Sequence, residues 1–401
     1  MSKLDELMQE LCPEGVEYRT LTELFNTRNG YTPSKSKKEY WENGTIPWFR
    51  MEDIRENGHI LSTASQHVSR EAVKGNPFPE NSLIIATSAT IGEHALITVP
   101  SLANQRFTYL VLKDEYRSLF DIKFLYYYCF KLDEYCKECL NQGNFASVDM
   151  SKFVKFKFPV PPLAVQREIV RILDNFAELT AELTAELTAR KKQYEYYRDE
   201  LLANNENVQF LPLSNVAKIY DGTHQTPEYK DCGIPFISVE NIGDIYNSKK
   251  YITREAFEAY KIKPRKGDLF MTRIGSIGVC AVFDHDAEIA YYVSLALIRP
   301  DESIVTAKYL KYIIESTIGR KELRKRTLVN AVPLKVNKDD IGKIVLPIPP
   351  VEVQNKIVQT LDRFDTLCND LTNGLPAEIE ARKKQYEYYR DKLLTFKEKT
   401  A

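Results

Sequence analysis

The segment ARKKQYEYYRD at Ala189–Asp199 recurs unchanged at Ala381–Asp391, 192 positions later. Eleven consecutive identities mark an internal repeat, which requires the chain to be built twice from one plan. Upstream, PVPPLAVQREIVRILDNF (Pro159–Phe176) aligns with PIPPVEVQNKIVQTLDRF (Pro347–Phe364), ten identities in eighteen at an offset of 188. The second copy therefore carries four additional residues between the two blocks. Weaker echoes precede them: IPWFRMEDI (Ile46–Ile54) resembles IPFISVENI (Ile234–Ile242), and ATIGEHALI (Ala89–Ile97) resembles GSIGVCAVF (Gly275–Phe283). The order is variable domain (1–158), conserved helix (159–203), variable domain (204–346), conserved helix (347–401).

In the first conserved block Ile169, Leu173, Phe176, Thr180, Leu183, Leu187, Arg190, Tyr194, Tyr197 and Leu201 alternate at spacings of four and three. That spacing predicts a coiled-coil seam. Pro161 and Pro162 suit a helix start, and Asn204–Asn205 suit its end. About 39 helical residues would make a rod of roughly 58 Å. The second seam runs Ile357, Leu361, Phe364, Cys368, Leu371, Leu375, then Ile379, Arg382, Tyr386, Tyr389 and Leu393 after one extra step of four. Such an insertion is a stutter, and Gly374 and Pro376 beside it predict a bend or break. Two unequal helices, packed antiparallel, are expected as a spacer. The variable domains read as mixed α/β: SLIIATSAT and FTYLVLK suggest strands, DIKFLYYYCFKLDEYCKECL and AKYLKYIIESTIGRKELRKR suggest helices.

A chain of 401 residues, 43% hydrophobic and 28% charged, has material for several packed cores. The N-terminus MSKLDELMQELCPEG is too charged for a signal peptide, and no apolar run reaches membrane-spanning length, so a cytoplasmic protein without membrane contact is expected. Seven cysteines lack the spacing of a disulfide framework and read as thiols. The net charge is −1; residues 1–158 carry −2 and residues 204–346 carry +3. Neither domain is strongly basic, so if the chain grips DNA its partners are expected to share the phosphate contacts.

Two variable domains alternating with two near-identical helices, each introduced by P-x-P-P-x-x-x-Q, resemble the specificity subunits of type I restriction-modification systems. The stretch AELTAELTAELTA (Ala177–Ala189) is similar to the TAEL repeats of the type IC subfamily. The resemblance covers essentially the whole chain. It implies an α+β fold class: two mixed α/β target-recognition domains, separated by two long helices in an antiparallel coiled coil with an internal pseudo-twofold repeat. It also implies that each domain reads one half of a bipartite site on double-stranded DNA, with the tetrapeptide number setting the gap. The helices would dock two methyltransferase subunits, restriction/motor subunits would complete the complex, and catalysis would belong to those partners. No cofactor is expected on this chain; S-adenosylmethionine would sit on the methyltransferases.

Base edges in the major groove are matched by Arg, Asn, Gln, Ser and Thr presented on loops. In the first domain the candidates are Thr32, Lys35, Lys37, Arg50, Ser88, Thr90, Asn104, Gln105 and Arg106. In the second they are Thr223, His224, Thr226, Ser238, Asn241, Thr272, Arg273 and Ser276. Phosphate contacts are expected from Lys35, Lys37 and Lys38 and from the run Arg320, Lys321, Arg324, Lys325 and Arg326. For any one of these, a solvated loop or helix face is the simpler reading. The duplicated Arg190, Lys191, Lys192 and Tyr196, with Arg382, Lys383, Lys384 and Tyr388, form two equivalent candidate docking surfaces, since identical surfaces recruit identical subunits.

Enzymatic signatures fail inspection. Cys136-x-x-Cys139 with Cys129 lies in an apolar helical pattern without a second ligand pair, the five histidines are scattered, and no phosphate loop or H-E-x-x-H occurs. Asn76-Pro77-Phe78 is a truncated echo of an amino-methyltransferase motif and reads as a turn. The competing readings are a coiled-coil adaptor or regulator with DNA-binding domains and no modification partner, and an enzyme with an unrecognised site.

Overall fold

The computed structural model describes residues 2–141, 146–203, 208–370 and 373–399. The chain divides into two compact units, Met1–Ala181 with Ala381–Ala401, and Glu182–Glu380. These limits differ from the sequence boundaries at 159, 204 and 347 because each conserved helical stretch gives one part to each unit.

In unit 1 the principal sheet has the strand order Phe25–Asn29, Phe107–Leu112, Ser82–Ala86, His94–Ile97, Ile60–Leu61. Its central strand is buried along its whole length because both faces are covered. Leu83 and Ile85 face a core shared with helix α1 (Ile122–Glu138), while Ile84 and Ala86 join the core under a second, three-stranded sheet. That small sheet centres on Ile46–Phe49, antiparallel to His67–Val68 and parallel to Leu102–Ala103. A further antiparallel pair, Glu17–Thr20 with Lys157–Val160, returns the chain to helix α2 (Leu163–Ala203). The C-terminal segment completes this unit: Val16 N–H donates to Lys397 O at 2.9 Å, Lys399 N–H donates to Val16 O at 2.9 Å, and Leu394 is in the core.

Unit 2 repeats the plan. Its principal sheet runs Ala217–Asp221, Leu295–Pro300, Leu269–Thr272, Cys280–Val282, and its small sheet centres on Ile234–Ile237 between Tyr251–Ile252 and Ala290–Tyr291. The helical run predicted over 307–326 is two helices, α3 (Ala307–Glu315) and α4 (Thr317–Arg324). Ser316 between them is extended, and its side chain accepts from Gly319 N–H to start α4. A Cβ at Gly319 would lie 2.3 Å from Ile313 O, so the kink needs glycine there.

Helix α2 is continuous over 41 residues. The second helical stretch is interrupted as predicted beside Gly374, giving α5 (Val351–Asn369) and α6 (Leu375–Leu393). Ile169, Leu173 and Tyr194 of α2 are buried, and Phe176, Thr180, Leu183, Leu187 and Arg190 are half-buried. Beyond Tyr194 the seam departs from expectation: Arg198 and Leu202 are buried, while Tyr197 is exposed and Leu201 half-buried. The same shift puts Leu394 in the core of unit 1 and leaves Tyr389 exposed. A straight helix drifts against a strict seven-residue repeat, and here each helix end follows the core it enters. Leu371, Asn204 and Asn205 lie outside the described residues.

The repeated P-x-P-P-x-x-x-Q segment ends in a clamp. In unit 1, Gln166 is fully buried; its amide donates to Leu119 O at 2.8 Å and Pro161 O at 2.7 Å, and its oxygen accepts from Asp121 N–H at 2.8 Å. In unit 2, Gln354 is also fully buried; it donates to Ile304 O and Pro349 O, both at 2.8 Å, and accepts from Thr306 N–H at 3.0 Å. Two turns onward Asp174 accepts from Lys123 Nζ and Tyr127 Oη, each at 2.7 Å, and Asp362 accepts from Lys308 Nζ and Tyr312 Oη, each at 2.6 Å. Burial, reinforced by these carboxylates, pushes both tyrosine pKa values up, so both hydroxyls remain donors. Each unit also stacks one tyrosine of the conserved ends: Phe176 on Tyr389 at 5.5 Å, Phe364 on Tyr197 at 6.0 Å.

Replacing Gln166 with alanine strands two carbonyls and one N–H inside the protein, and an unsatisfied buried group costs about 1–3 kcal/mol. Gln166→Ala is expected to lower the unfolding free energy of unit 1 by about 2–4 kcal/mol, with Gln354→Ala doing the same to unit 2. Urea titrations of the two variants measure this; midpoints equal to that of the parent would show that these groups find other partners.

Candidate nucleic-acid interface

At one end of the unit 1 sheet, four sequence-distant segments are joined by backbone hydrogen bonds. Tyr31 N–H donates to Ala103 O at 2.8 Å, Asn104 N–H to Phe49 O at 3.0 Å, and Thr87 N–H to Arg106 O at 3.0 Å. Gly30 permits the first approach, since a Cβ there would lie 2.4 Å from Ala103 O. Thr32 donates to Gln105 Oε1 at 2.5 Å across 73 positions, bringing two candidate readers together. Asn104 is half-buried and its Oδ1 accepts from Arg106 N–H at 3.0 Å, leaving Gln105 and Arg106 exposed. Arg50 precedes a short helix and donates to Ser65 Oγ at 2.7 Å. Ser88 and Thr90 are half-buried at a turn in which Ala89 has φ +67°. Lys35, Lys37 and Lys38 are exposed, and Lys37 donates to Tyr40 Oη at 3.2 Å.

Unit 2 builds the same constellation. Thr223 N–H donates to Tyr291 O at 3.1 Å, Arg273 N–H to Ser294 O at 3.0 Å, and Gly275 N–H to Leu334 O at 2.8 Å. Gly222 takes the place of Gly30, with a Cβ there 2.5 Å from Tyr292 backbone atoms. His224, Thr226 and Ser276 are exposed and Thr223 is half-buried. Ser238 caps the turn Val239–Asn241, and Asn241 Oδ1 accepts from Ser238 N–H at 3.1 Å.

Two candidates are corrected by their burial. Thr272 is fully buried at the end of a strand; its hydroxyl donates to Ser276 O and accepts from Val279 N–H at 3.0 Å. Arg273 is 7% exposed, and its guanidinium is held by Asp221 and by Val336 O. Both shape the turn that displays Ser276. The basic run also divides. Lys325 pairs with Glu322, and Arg326 reaches Glu322 at 3.3 Å and Lys343 O at 2.7 Å. Arg320, Lys321 and Arg324 are exposed and have no ion pair among the described residues.

On the duplicated helix ends, Tyr196 is 64% exposed and Tyr388 63%, each edge-on to its neighbouring tyrosine. Lys191, Lys192, Lys383 and Lys384 are exposed, while Arg190 reaches Gln193 and Glu186 and Arg382 reaches Gln385 at 3.1 Å. The two copies have different neighbours. Asp199 accepts from Thr317, whereas Asp391 lies 3.7 Å from Lys131 and Arg390 sits over Phe130. Sequence reasoning missed two segments, Tyr292–Ser294, which hydrogen-bonds three loops together, and Leu328–Leu334, an exposed uncharged loop. An apolar stretch without helical or strand period between two cationic segments was the available signal for the second.

Among the described residues no group of His, Cys, Asp and Glu has the arrangement of a metal site, and no helix is long and apolar enough to cross a membrane. Cys129 and Cys136 are buried on α1, where burial pushes their pKa values up.

A duplicated α/β domain, with a hydrogen-bonded loop cluster in each copy and a repeated helix surface, defines a two-headed recognition subunit. The family model for the type I restriction modification DNA specificity domain matches residues 13–190 and again 205–381. The chain is 43% identical over 396 residues to the type I restriction enzyme EcoprrI specificity subunit of Escherichia coli, covering 93% of each protein. It is 35% identical over 300 residues to the EcoR124I/EcoR124II specificity subunit of the same organism, covering 69% of this chain and 71% of that one. A chain from a solved structure on assembly and conformational transition of the type I R-M system shares the fold with a TM-score of 0.66 at 18% identity, covering 95% and 98%. The S subunit from M. genitalium gives a TM-score of 0.51 at 15% identity, covering 94% and 95%. The chain belongs to the type I restriction-modification DNA specificity family and is a specificity subunit of such a system.

Neutralising the exposed face of α4 tests its role. The triple variant Arg320→Gln, Lys321→Gln, Arg324→Gln is expected to weaken duplex binding about equally for all sequences and to flatten the slope of log K against log salt by about 1 for each phosphate no longer neutralised. Anisotropy titrations at several salt concentrations measure both, and an unchanged slope would remove α4 from the phosphate-binding surface.

Proposed function

We propose that unit 1 and unit 2 each read one half of a bipartite duplex site, that the AELT repeats set the gap, and that the two ARKKQYEYYRD surfaces each dock one methyltransferase subunit. The observation that carries this is the duplicated loop cluster, with Thr32, Gln105 and Arg106 in one copy and His224, Thr226 and Ser276 in the other. The chain itself performs no chemistry. S-adenosylmethionine belongs to the docked methyltransferases, restriction/motor subunits join through them, and the complex works in the cytoplasm.

The gap reading rests on Ala177–Thr188, which lies within one continuous helix. Each four-residue unit adds ~6 Å at ~1.5 Å per residue, comparable to one or two base-pair steps. The docking reading rests on the exposure of Tyr196 and Tyr388, because tyrosine is a residue type enriched among interface anchors.

Adding one AELT unit is expected to lengthen the gap and leave both half-sites unchanged, as read by mapping methylated adenines. Exchanging residues 204–346 for the equivalent part of a relative should alter one half-site; alteration of both would contradict the modular reading. Tyr196→Ala and Tyr388→Ala are each expected to yield a complex one methyltransferase short by native mass, and retention of both copies in each variant would place docking elsewhere.

A further inference from the structure

The loop between α4 and the helix Lys338–Gly342 carries a seven-residue segment, LVNAVPL at Leu328–Leu334, without a single charge. Val332 is 100% exposed and Val329 71%, with Leu328 and Leu334 also exposed. Apolar surface held in water is unfavourable in proportion to its area, so a cluster presented this way calls for a partner. The loop is a built element: Leu328 N–H donates to Lys335 O at 2.8 Å, and Ala331 N–H donates to Leu328 O at 3.2 Å. Its base is tied to the turn that displays Ser276, through Gly275 N–H to Leu334 O at 2.8 Å and Val336 N–H to Arg273 O at 3.0 Å. The buried Arg273 guanidinium, held by Asp221, also donates to Val336 O at 3.2 Å, so a cation withdrawn from water is used to fix the base of the loop.

We propose that Leu328–Leu334 is the apolar contact by which unit 2 touches base edges in the major groove of its half-site. The inference rests on the reading of unit 2 as a half-site reader and adds the chemistry of one contact. Two features select duplex DNA over a protein partner. Arg324 precedes the segment and Lys335 follows it, both exposed and without an ion pair among the described residues, so cations stand at the two ends of an apolar loop, as phosphates stand on either side of apolar base-edge groups. The segment also shares backbone hydrogen bonds with the Ser276 turn, so a duplex meeting one is beside the other. In the major groove the thymine methyl is the apolar group offered to such side chains. Valine and leucine neutralise no phosphate, so this contact contributes to sequence preference and leaves the counterion count alone.

The test uses the full chain, with Val329→Ser and Val332→Ser combined, assembled with its methyltransferase and titrated with duplex carrying the mapped site across a salt series. Native mass and urea midpoint should equal those of the parent, because both valines are exposed. Affinity for the specific duplex is expected to fall at least tenfold, with the slope of log K against log salt unchanged and the preference for the unit 1 half-site retained. Binding within twofold of the parent, or a slope changed by one unit or more, overturns the inference. Departure of methyltransferase from the complex would make the loop a protein dock and overturns it as well. A parent complex with no preference for any split site overturns the underlying reading, whereas a discriminating parent beside an unaffected variant overturns only the loop's role.

Discussion

A glutamine amide buried at the first turn of each conserved helix is the interaction on which the rest depends. Gln166 and Gln354 each satisfy a carbonyl of the entering proline segment, together with a carbonyl and an N–H at the start of the domain's own helix. A buried amide with three partners tolerates one geometry, so the direction in which each long helix leaves its domain is set locally. Asp174 and Asp362 repeat the constraint two turns later by holding one lysine and one tyrosine of that same domain helix. Under the proposed gap-setting role this fixed exit is what a spacer needs, because any play at the clamp would become play in the gap.

The loop clusters follow the same logic at the opposite kind of surface. Each is held by backbone hydrogen bonds between segments far apart in sequence, which leaves the exposed side chains free to vary while the frame persists. Gly30 and Gly222 mark the closest approach, and the buried Thr272 and Arg273 show that polar residues in such a cluster divide between building the frame and facing outward. The identical ARKKQYEYYRD segments have one common face, carrying Tyr196 or Tyr388, and one face adapted to different neighbours, Thr317 in unit 2 and Lys131 in unit 1.

Much of the architecture is legible from repetition alone. The offsets of 188 and 192 reveal the duplication and put a four-residue insertion in the second helical stretch, where Gly374 with Pro376 marks the break between α5 and α6. Periodicity is less informative at helix ends: Arg198 and Leu202 replace Tyr197 and Leu201 in the buried positions, because the core of unit 2, and not a strict heptad, decides which side faces inward. The α3–α4 kink is hidden from the sequence because Ser316 and Gly319 are tolerated in a helical pattern, and the close approach to Ile313 O is a tertiary fact. Among the candidate readers, residue type picks Thr32 with Gln105 but cannot separate Ser276 from Thr272, four positions apart, since only the fold tells a displayed hydroxyl from one consumed within a turn.

The most direct measurement is to express this chain with its methyltransferase in a host lacking other adenine methylation and to sequence the methylated adenines across the genome. One split motif is predicted, two short specific blocks around a gap of fixed length. A continuous motif, or methylation without sequence preference, would contradict a two-headed reader with a helical spacer.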